Sequence, residues 1–267
     1  MKNLSVYILS IIFICGLFRN PTIAFSKGGD TKTIYEKSFK ISPNKKLVLN
    51  SDTGDIQITP GDKSEVYIKV IGNDNAAEKF TYDFNATSEE VTVVVKKKPG
   101  LDWFSNIKLK FEIKMPATFN VYANTAGGDI KVGGIKGDIK LKTSGGDIWG
   151  DRFEGNFTAN TSGGDINLFC SNAKIEANTS GGDIDLDYTG INKGIELKTS
   201  GGDIKIKAPV NFDANAELRT SGGDIDCKFK LNNVTKLSET KVIGSINNGG
   251  APLIAITSGG DITVYKK

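Results

Sequence analysis

The chain has 267 residues, 38% hydrophobic and 24% charged, which excludes a disordered chain and a membrane protein with several spans. The formal charge is +3, and the first 26 residues hold Lys2 and Arg19 but no acidic residue. The remainder therefore carries 32 basic against 31 acidic groups, too even a balance for a nucleic-acid binder. Histidine is absent, which removes nucleophile triads built on an imidazole base and histidine metal sites.

Lys2 precedes the apolar run LSVYILSIIFICGLF, Leu4–Phe18. Its length suits a signal-peptide core better than a membrane span of about 20 residues. Ala24 and Ser26 follow with the spacing of a cleavage site, so residues 1–26 are expected to be a signal peptide. An uncleaved N-terminal anchor is the alternative. A lipoprotein reading at Cys15 meets Ile14 where a small residue is wanted. The chain stops at Val264-Tyr265-Lys266-Lys267 without a wall-anchoring tail, so the expectation is a protein released or held by partners.

Residues 27–118 are expected to form an N-terminal β region with long coils, a separate small β domain being the alternative. One repeat-like phrase, SDTGDI, stands at Ser51–Ile56, followed by alternating runs EVYIKVI from Glu65, KFTYDFN from Lys79, EVTVVVK from Glu90 and IKLKFEIKM from Ile107. The loop Lys96–Asn106 puts Lys96, Lys97 and Lys98 beside Trp103 and Phe104. Cations with interfacial aromatics suit a membrane surface or a glycan, which makes these five residues a candidate surface contact. The structural alternative is that Trp103 folds back to cap the open end of the core, as repeat proteins require.

Residues 119–267 carry one recurring phrase. TAGGDI spans Thr125–Ile130, and TSGGDI begins at Thr143, Thr161, Thr179, Thr199, Thr220 and Thr257. A degenerate copy, VIGSI, spans Val242–Ile246. A period near 20 residues is a solenoid signature, because one unit alone cannot bury its apolar face. In IELKTSGGDIKIK, Ile195, Leu197, Thr199, Ile204 and Ile206 point one way and Glu196, Lys198, Lys205 and Lys207 the other, the alternation of short strands with one buried face. Two strands parted by Gly-Gly also fit a tight antiparallel hairpin, hence a meander or barrel. The near-identical spacing favours an all-β, right-handed parallel β-helix or β-solenoid of about 18–21 residues per coil, stacked in sequence order.

Stacked coils put Asp147, Asp165 and Asp183 roughly 4.8 Å apart. The expectation is that each carboxylate accepts backbone N–H groups at its own turn. A calcium row and a ligand-facing column are the alternatives, and the phrase lacks the GGxGxDxUx spacing of calcium-binding repeats. One or both of the paired glycines are expected to need positive φ. Thr143, Thr161, Thr179, Thr199 and Thr220 should form a hydroxyl ladder, and Asn160 and Asn178 a two-step amide ladder. Cys170 and Cys227 are expected to be unbridged and buried, three coils and about 14 Å apart.

TSGGDI repeats behind a leader and a strand ending FEIKMP, Phe111–Pro116, resemble the bacterial putative-adhesin family of β-helical envelope proteins, also described as toastrack domains. The resemblance covers most of residues 40–267. It implies an extracytoplasmic location, a role in surface interaction or envelope stress, and no catalytic residues. The expected function is thus a non-enzymatic, exported, adhesin-like interaction protein of periplasm, cell surface or medium. It needs no cofactor or metal, and its partner is an envelope protein, a glycan or a membrane surface, not nucleic acid. A carbohydrate-active β-helix enzyme and a scaffold self-associating through strand edges are the alternatives. The exported protein is expected to begin near Phe25 or Lys27; mass spectrometry finding Met1 intact on it would refute the cleaved leader.

Overall fold

The structure, a computed structural model, describes residues 30–100 and 106–267. The leader, Trp103 and Phe104 lie outside them. The N-terminal part contains β1 (Lys32–Lys40), β2 (Lys46–Ser51), β3 (Asp55–Pro60), β4 (Glu65–Gly72), helix α1 (Asp74–Lys79), β5 (Phe80–Ala86), β6 (Glu90–Lys97) and β7 (Leu109–Met115). The repeats supply β8 (Asn120–Thr125), β9 (Ile130–Gly133), β10 (Lys136–Lys142), β11 (Ile148–Asn160), β12 (Ile166–Asn178), β13 (Ile184–Thr189), β14 (Ile195–Lys198) and β15 (Ile204–Ala208). The chain ends with β16 (Ala214–Arg219), β17 (Ile225–Cys227), β18 (Leu231–Ser238), β19 (Lys241–Ile246), β20 (Pro252–Ile256) and β21 (Ile262–Lys266). Helix α1 has no counterpart in the sequence reading, being too short to show a period. Asn73 caps it, its side-chain oxygen accepting the Ala76 N–H at 3.0 Å.

The fold is an all-β solenoid whose strands form two hydrogen-bonded ladders. Strands leading into the Gly-Gly-Asp corners make one ladder, in the order β6, β2, β8, β10, the second half of β11, the second half of β12, β14, β20 and β16, all parallel. Strands leaving the corners make the other, β7, β3, β9, the first halves of β11 and β12, β13, β15, β21 and β17. Alternation places one face of each ladder inward. Ile56, Ile130, Ile148, Ile166, Ile184, Ile204 and Ile262 form one fully buried column, and Leu47, Val121, Ile139, Phe157, Ile175, Ile195 and Leu253 belong to another. The core is one continuous cluster through the N-terminal coils and the repeats.

The coils do not stack in sequence order. Ile204 pairs with Ile262, and Ile262 pairs in turn with Ile225, so the last repeat lies between the coils of Thr199 and Thr220. The N-terminal end does the same: β2 lies between β6 and β8, and β3 between β7 and β9. At each end the outermost coil is separated from the repeat stack by a coil that is not its neighbour there in sequence order: β2–β3 lies between β6–β7 and β8–β9, and β20–β21 between β16–β17 and β14–β15. Any TSGGDI copy offers the same pairing face, so the connecting segments decide the order. Val242–Ile246 is accordingly no further coil: it lies in β19, antiparallel to β16, with β18 antiparallel beyond it. The long strands before the repeats likewise include antiparallel members, β1 on β4, β4 on β7 and β5 on β6.

This order moves the cysteines. The coils of Cys170 and Cys227 are four steps apart, not three, or about 19 Å at the usual strand spacing. Cys170 is buried, and burial pushes its thiol up to about 12. Cys227 is only part-buried, because its coil ends its ladder.

The paired glycines are needed for a different reason from the one expected. None in the TSGGDI phrases has a positive φ; Gly54 of the SDTGDI copy does, at 106°. The second glycine instead lies against the corner below. A Cβ on Gly164 would stand 2.0 Å from the Gly146 carbonyl oxygen, whereas the first glycine has room, with 3.8 Å as the nearest approach at Gly163. Gly164→Ala is therefore expected to force the coils apart and lower the melting temperature by an amount equivalent to about 1–3 kcal/mol or more, while Gly163→Ala stays near wild type. Equal melting temperatures for the two variants would remove this account.

Candidate functional site

The Gly-Gly-Asp corners hold the densest column of polar groups, and the fold consumes them. Each corner threonine is buried and donates its hydroxyl to a glycine carbonyl of the coil beneath: Thr143 to Gly128, Thr161 to Gly146 and Thr179 to Gly164, all at 2.9 Å. The same hydroxyl accepts the N–H of the second glycine of its own corner, as Thr161 does from Gly164 at 3.3 Å. The aspartates act between coils rather than within their own turns. Asp129 accepts the Asp147 N–H at 3.0 Å, Asp147 that of Asp165 at 2.8 Å, and Asp165 that of Asp183 at 2.8 Å. The series continues through Asp203 and Asp261 to Asp224. Asn178 donates to Asn160 at 3.2 Å, the amide ladder read from the sequence.

The opposite side of the stack turns through positive φ. Gly134 (69°), Arg152 (48°), Asn172 (50°) and Gly190 (78°) hold these bends in successive coils. Glycine and asparagine take this conformation readily; arginine does so at a cost in strain. At Arg152 the register of β11 on β12 also shifts. A strand irregularity of this kind re-aims a side chain, and the Arg152 side chain is 82% exposed.

Between the two corners lie the outward rows of the second ladder. One row runs Gln57, Lys131, Trp149, Asn167, Asp185 and Lys205; its neighbour runs Gly133, Asp151, Phe169, Asp187 and Lys207. Aromatic rings interrupt these polar rows: Trp149 is partly exposed and Phe169 is 51% exposed. The Lys131 ammonium sits 4.2 Å from the Trp149 ring centre. Because Gly133 and Gly134 carry no side chains, a recess of about 480 Å³ opens beside the ring. Gln57, Thr59, Pro60, Lys131, Asp151 and Arg152 surround it. On the same face the Asp185 side chain is exposed, and partial desolvation by the neighbouring rows shifts its carboxyl upward from its ordinary value; Lys205 opposes the shift and Asp183, Asp165 and Asp203 add to it.

The lysines singled out from the sequence lie elsewhere, at the end of β6. Lys96 is exposed, the Lys97 N–H donates to Asp52 at 2.8 Å, and the Lys98 ammonium donates to the Glu78 carbonyl at 2.6 Å. Nearby, Tyr35 of β1 packs on Tyr82 and Phe84 of β5, with ring centres 4.9 and 5.6 Å apart. Sequence reasoning missed the Trp149 recess. The available signal was an outward aromatic in a row of polar residues followed by the only arginine of a repeat bend, but the neighbours Gln57 and Pro60 come from a coil far away in sequence. Among the described residues no helix is long and apolar enough to cross a membrane.

Comparison with known proteins gives one family. The family model described as Toastrack DUF4097 matches residues 44–168 and again 105–265. No curated protein matches. Among solved structures, a "putative cell adhesion protein" from Clostridium sporogenes is 16% identical, with 88% of this chain and 100% of that chain covered and a TM-score of 0.38. A "putative adhesin" from Bacteroides fragilis is 14% identical, with coverage of 90% and 98% and a TM-score of 0.41. A "putative lipid binding protein" from Parabacteroides distasonis is 16% identical, with coverage of 89% and 97% and a TM-score of 0.36.

Because the folded pKa of Asp185 is raised, its ionised form opposes folding above the pKa of the unfolded chain, and the penalty fades as pH falls through the folded value. Because the group is exposed and screened by solvent, the effect is small: Asp185→Asn is expected to raise the melting temperature slightly at pH 7 and low salt, with the gain shrinking towards about pH 3, below the ordinary aspartate value. A gain independent of pH, or a loss at pH 7, would contradict the shift.

Proposed function

We propose that this chain, which belongs to the Toastrack DUF4097 family, is an exported, non-enzymatic interaction protein of the cell envelope that holds its partner on the outer faces of the solenoid. The supporting observation is the division of polar groups. Threonine, glycine and aspartate groups at the corners are spent in hydrogen bonds between coils, while the outward rows carry exposed aromatic and charged side chains on a rigid strand spacing. Exposed aromatics with an arginine nearby are the side chains on which interfaces depend. Lys96, Lys97 and Lys98, at the N-terminal end of the same solenoid, are a second candidate contact, to which Trp103 and Phe104 belong by sequence alone.

A self-associating scaffold has one observation in its favour. Strand β18 closes the C-terminal end, pairs among the described residues with β19 alone, and exposes Val234 (43%) and Leu237 (67%) along its length. The test places a photo-crosslinking residue at Phe169 on the outer face and, separately, at Leu237 on the edge, in the exported protein on living cells. The outer-face reading expects the same envelope partner to be captured repeatedly from Phe169. Adducts of the chain with itself from Leu237, and none from Phe169, would replace it with the scaffold. Turnover of an acidic polysaccharide by the purified protein would replace it with an enzyme.

A further inference from the structure

We infer that the recess beside Trp149 is a binding site for an acidic sugar residue, such as a uronic acid within a polysaccharide. The inference rests on the reading of the outer face as the contact surface and names what that face takes. Three features of the recess point to a saccharide. Trp149 offers a flat aromatic face at the surface, against which the C–H face of a pyranose ring can pack. The recess, about 480 Å³, is of a size for one or two sugar rings and is open along the face, as a chain ligand needs. Its rim combines Gln57, Asp151 and Arg152, planar side chains with paired donor or acceptor atoms that match neighbouring hydroxyls on a ring.

The charge points to an acidic sugar. Asp151 is already paired with Arg152, Oδ2 to guanidinium nitrogen at 2.8 Å. Among the described residues Lys131 has no carboxylate partner; its contact is the Trp149 ring. A cation resting on a ring at the surface is held by only about 0.5–1 kcal/mol and moves on a flexible stem. A carboxylated sugar entering the recess draws the ammonium off the ring to its own carboxylate, which uncovers the aromatic face on which the sugar then packs. A neutral sugar supplies no such exchange and must compete with the lysine.

The backbone is built around the same spot. Arg152 occupies a left-handed bend that the adjoining coils give to Gly134 and Asn172. Strain of this kind persists where the side chain is wanted in a fixed place. Gly133 and Gly134 in the coil beneath leave the space that Arg152 overlooks; a Cβ on Gly134 would come within 2.7 Å of Pro60 Cγ.

The experiment titrates the full exported chain, by calorimetry, with glucuronic acid oligomers and with neutral glucose oligomers of equal length. Wild type is expected to bind the acidic oligomer more tightly than the neutral one, with affinity falling as salt rises. Trp149→Ala should weaken the acidic oligomer about tenfold or more, and Lys131→Gln should weaken it while flattening the salt dependence. Both positions face outward, so both variants should stay folded, Lys131→Gln at the wild-type melting temperature and Trp149→Ala, which loses a half-buried ring, somewhat below it. Binding that survives Trp149→Ala, equal binding of acidic and neutral oligomers, or no binding of either would each overturn the inference. In those cases capture of an envelope partner from Phe169 would still stand or fall by itself, which separates failure of the sugar site from failure of the interaction reading.

Discussion

One contact recurs at every Gly-Gly-Asp corner: the second glycine meets the carbonyl of its counterpart below, with no room for a single carbon between them. At Gly182 a Cβ would lie 2.1 Å from the Gly164 oxygen, and at Gly260 the same distance from the Gly202 oxygen. That approach brings the threonine hydroxyl within reach of the carbonyl beneath, and the aspartate carboxylate within reach of the N–H above. A corner in a parallel stack would otherwise leave backbone donors and acceptors unpaired, at a cost comparable to a lost hydrogen bond for each. Here side chains complete the ladder where the backbone turns, so the pairing runs unbroken round that corner.

The requirement explains why the repeat is so uniform at its corners and so varied elsewhere. Inward positions need only volume: Gly150 takes an inward place because Phe153 and Phe157, stacked with ring centres 4.1 Å apart, fill the space. Outward positions are bound by neither demand. Trp149, Asn167, Asp185 and Lys205 follow one another in one row without a pattern that the fold requires. Functional variation can therefore accumulate on the faces without disturbing the stack.

The ends need a separate solution, since an unpaired parallel ladder invites further strands. Antiparallel strands close most of it: β4 and β1 over β7, β5 over β6, and β19 with β18 over β16. The edge strand β1 carries Lys32, Lys37 and Lys40, charges that discourage another chain from pairing there. The same segments link the two outermost coils: β18 and β19 carry the chain from the outer coil β16–β17 back to the place beneath it, and β4, α1 and β5 carry it from β3 to the outer coil β6–β7.

By itself the sequence determined the repeating unit: the period, the inward apolar columns, the threonine and asparagine ladders, and a solenoid rather than a meander. These follow from local alternation and from identical phrases being able to stack on one another. It also carried the toastrack resemblance, which the family match bears out. Only the tertiary structure decided which copy stacks on which. Equivalent phrases pair equally well, and the choice depends on how the segments between Pro209 and Ala251 span the stack. It also decided that the glycines serve close approach rather than positive φ, because the sequence names a glycine without showing what stands opposite it. The recess at Trp149 was illegible for the same reason. Its walls come from Gln57–Pro60, Lys131–Gly134 and Trp149–Arg152, and the place of the first of these beneath the second is a fact of stacking order.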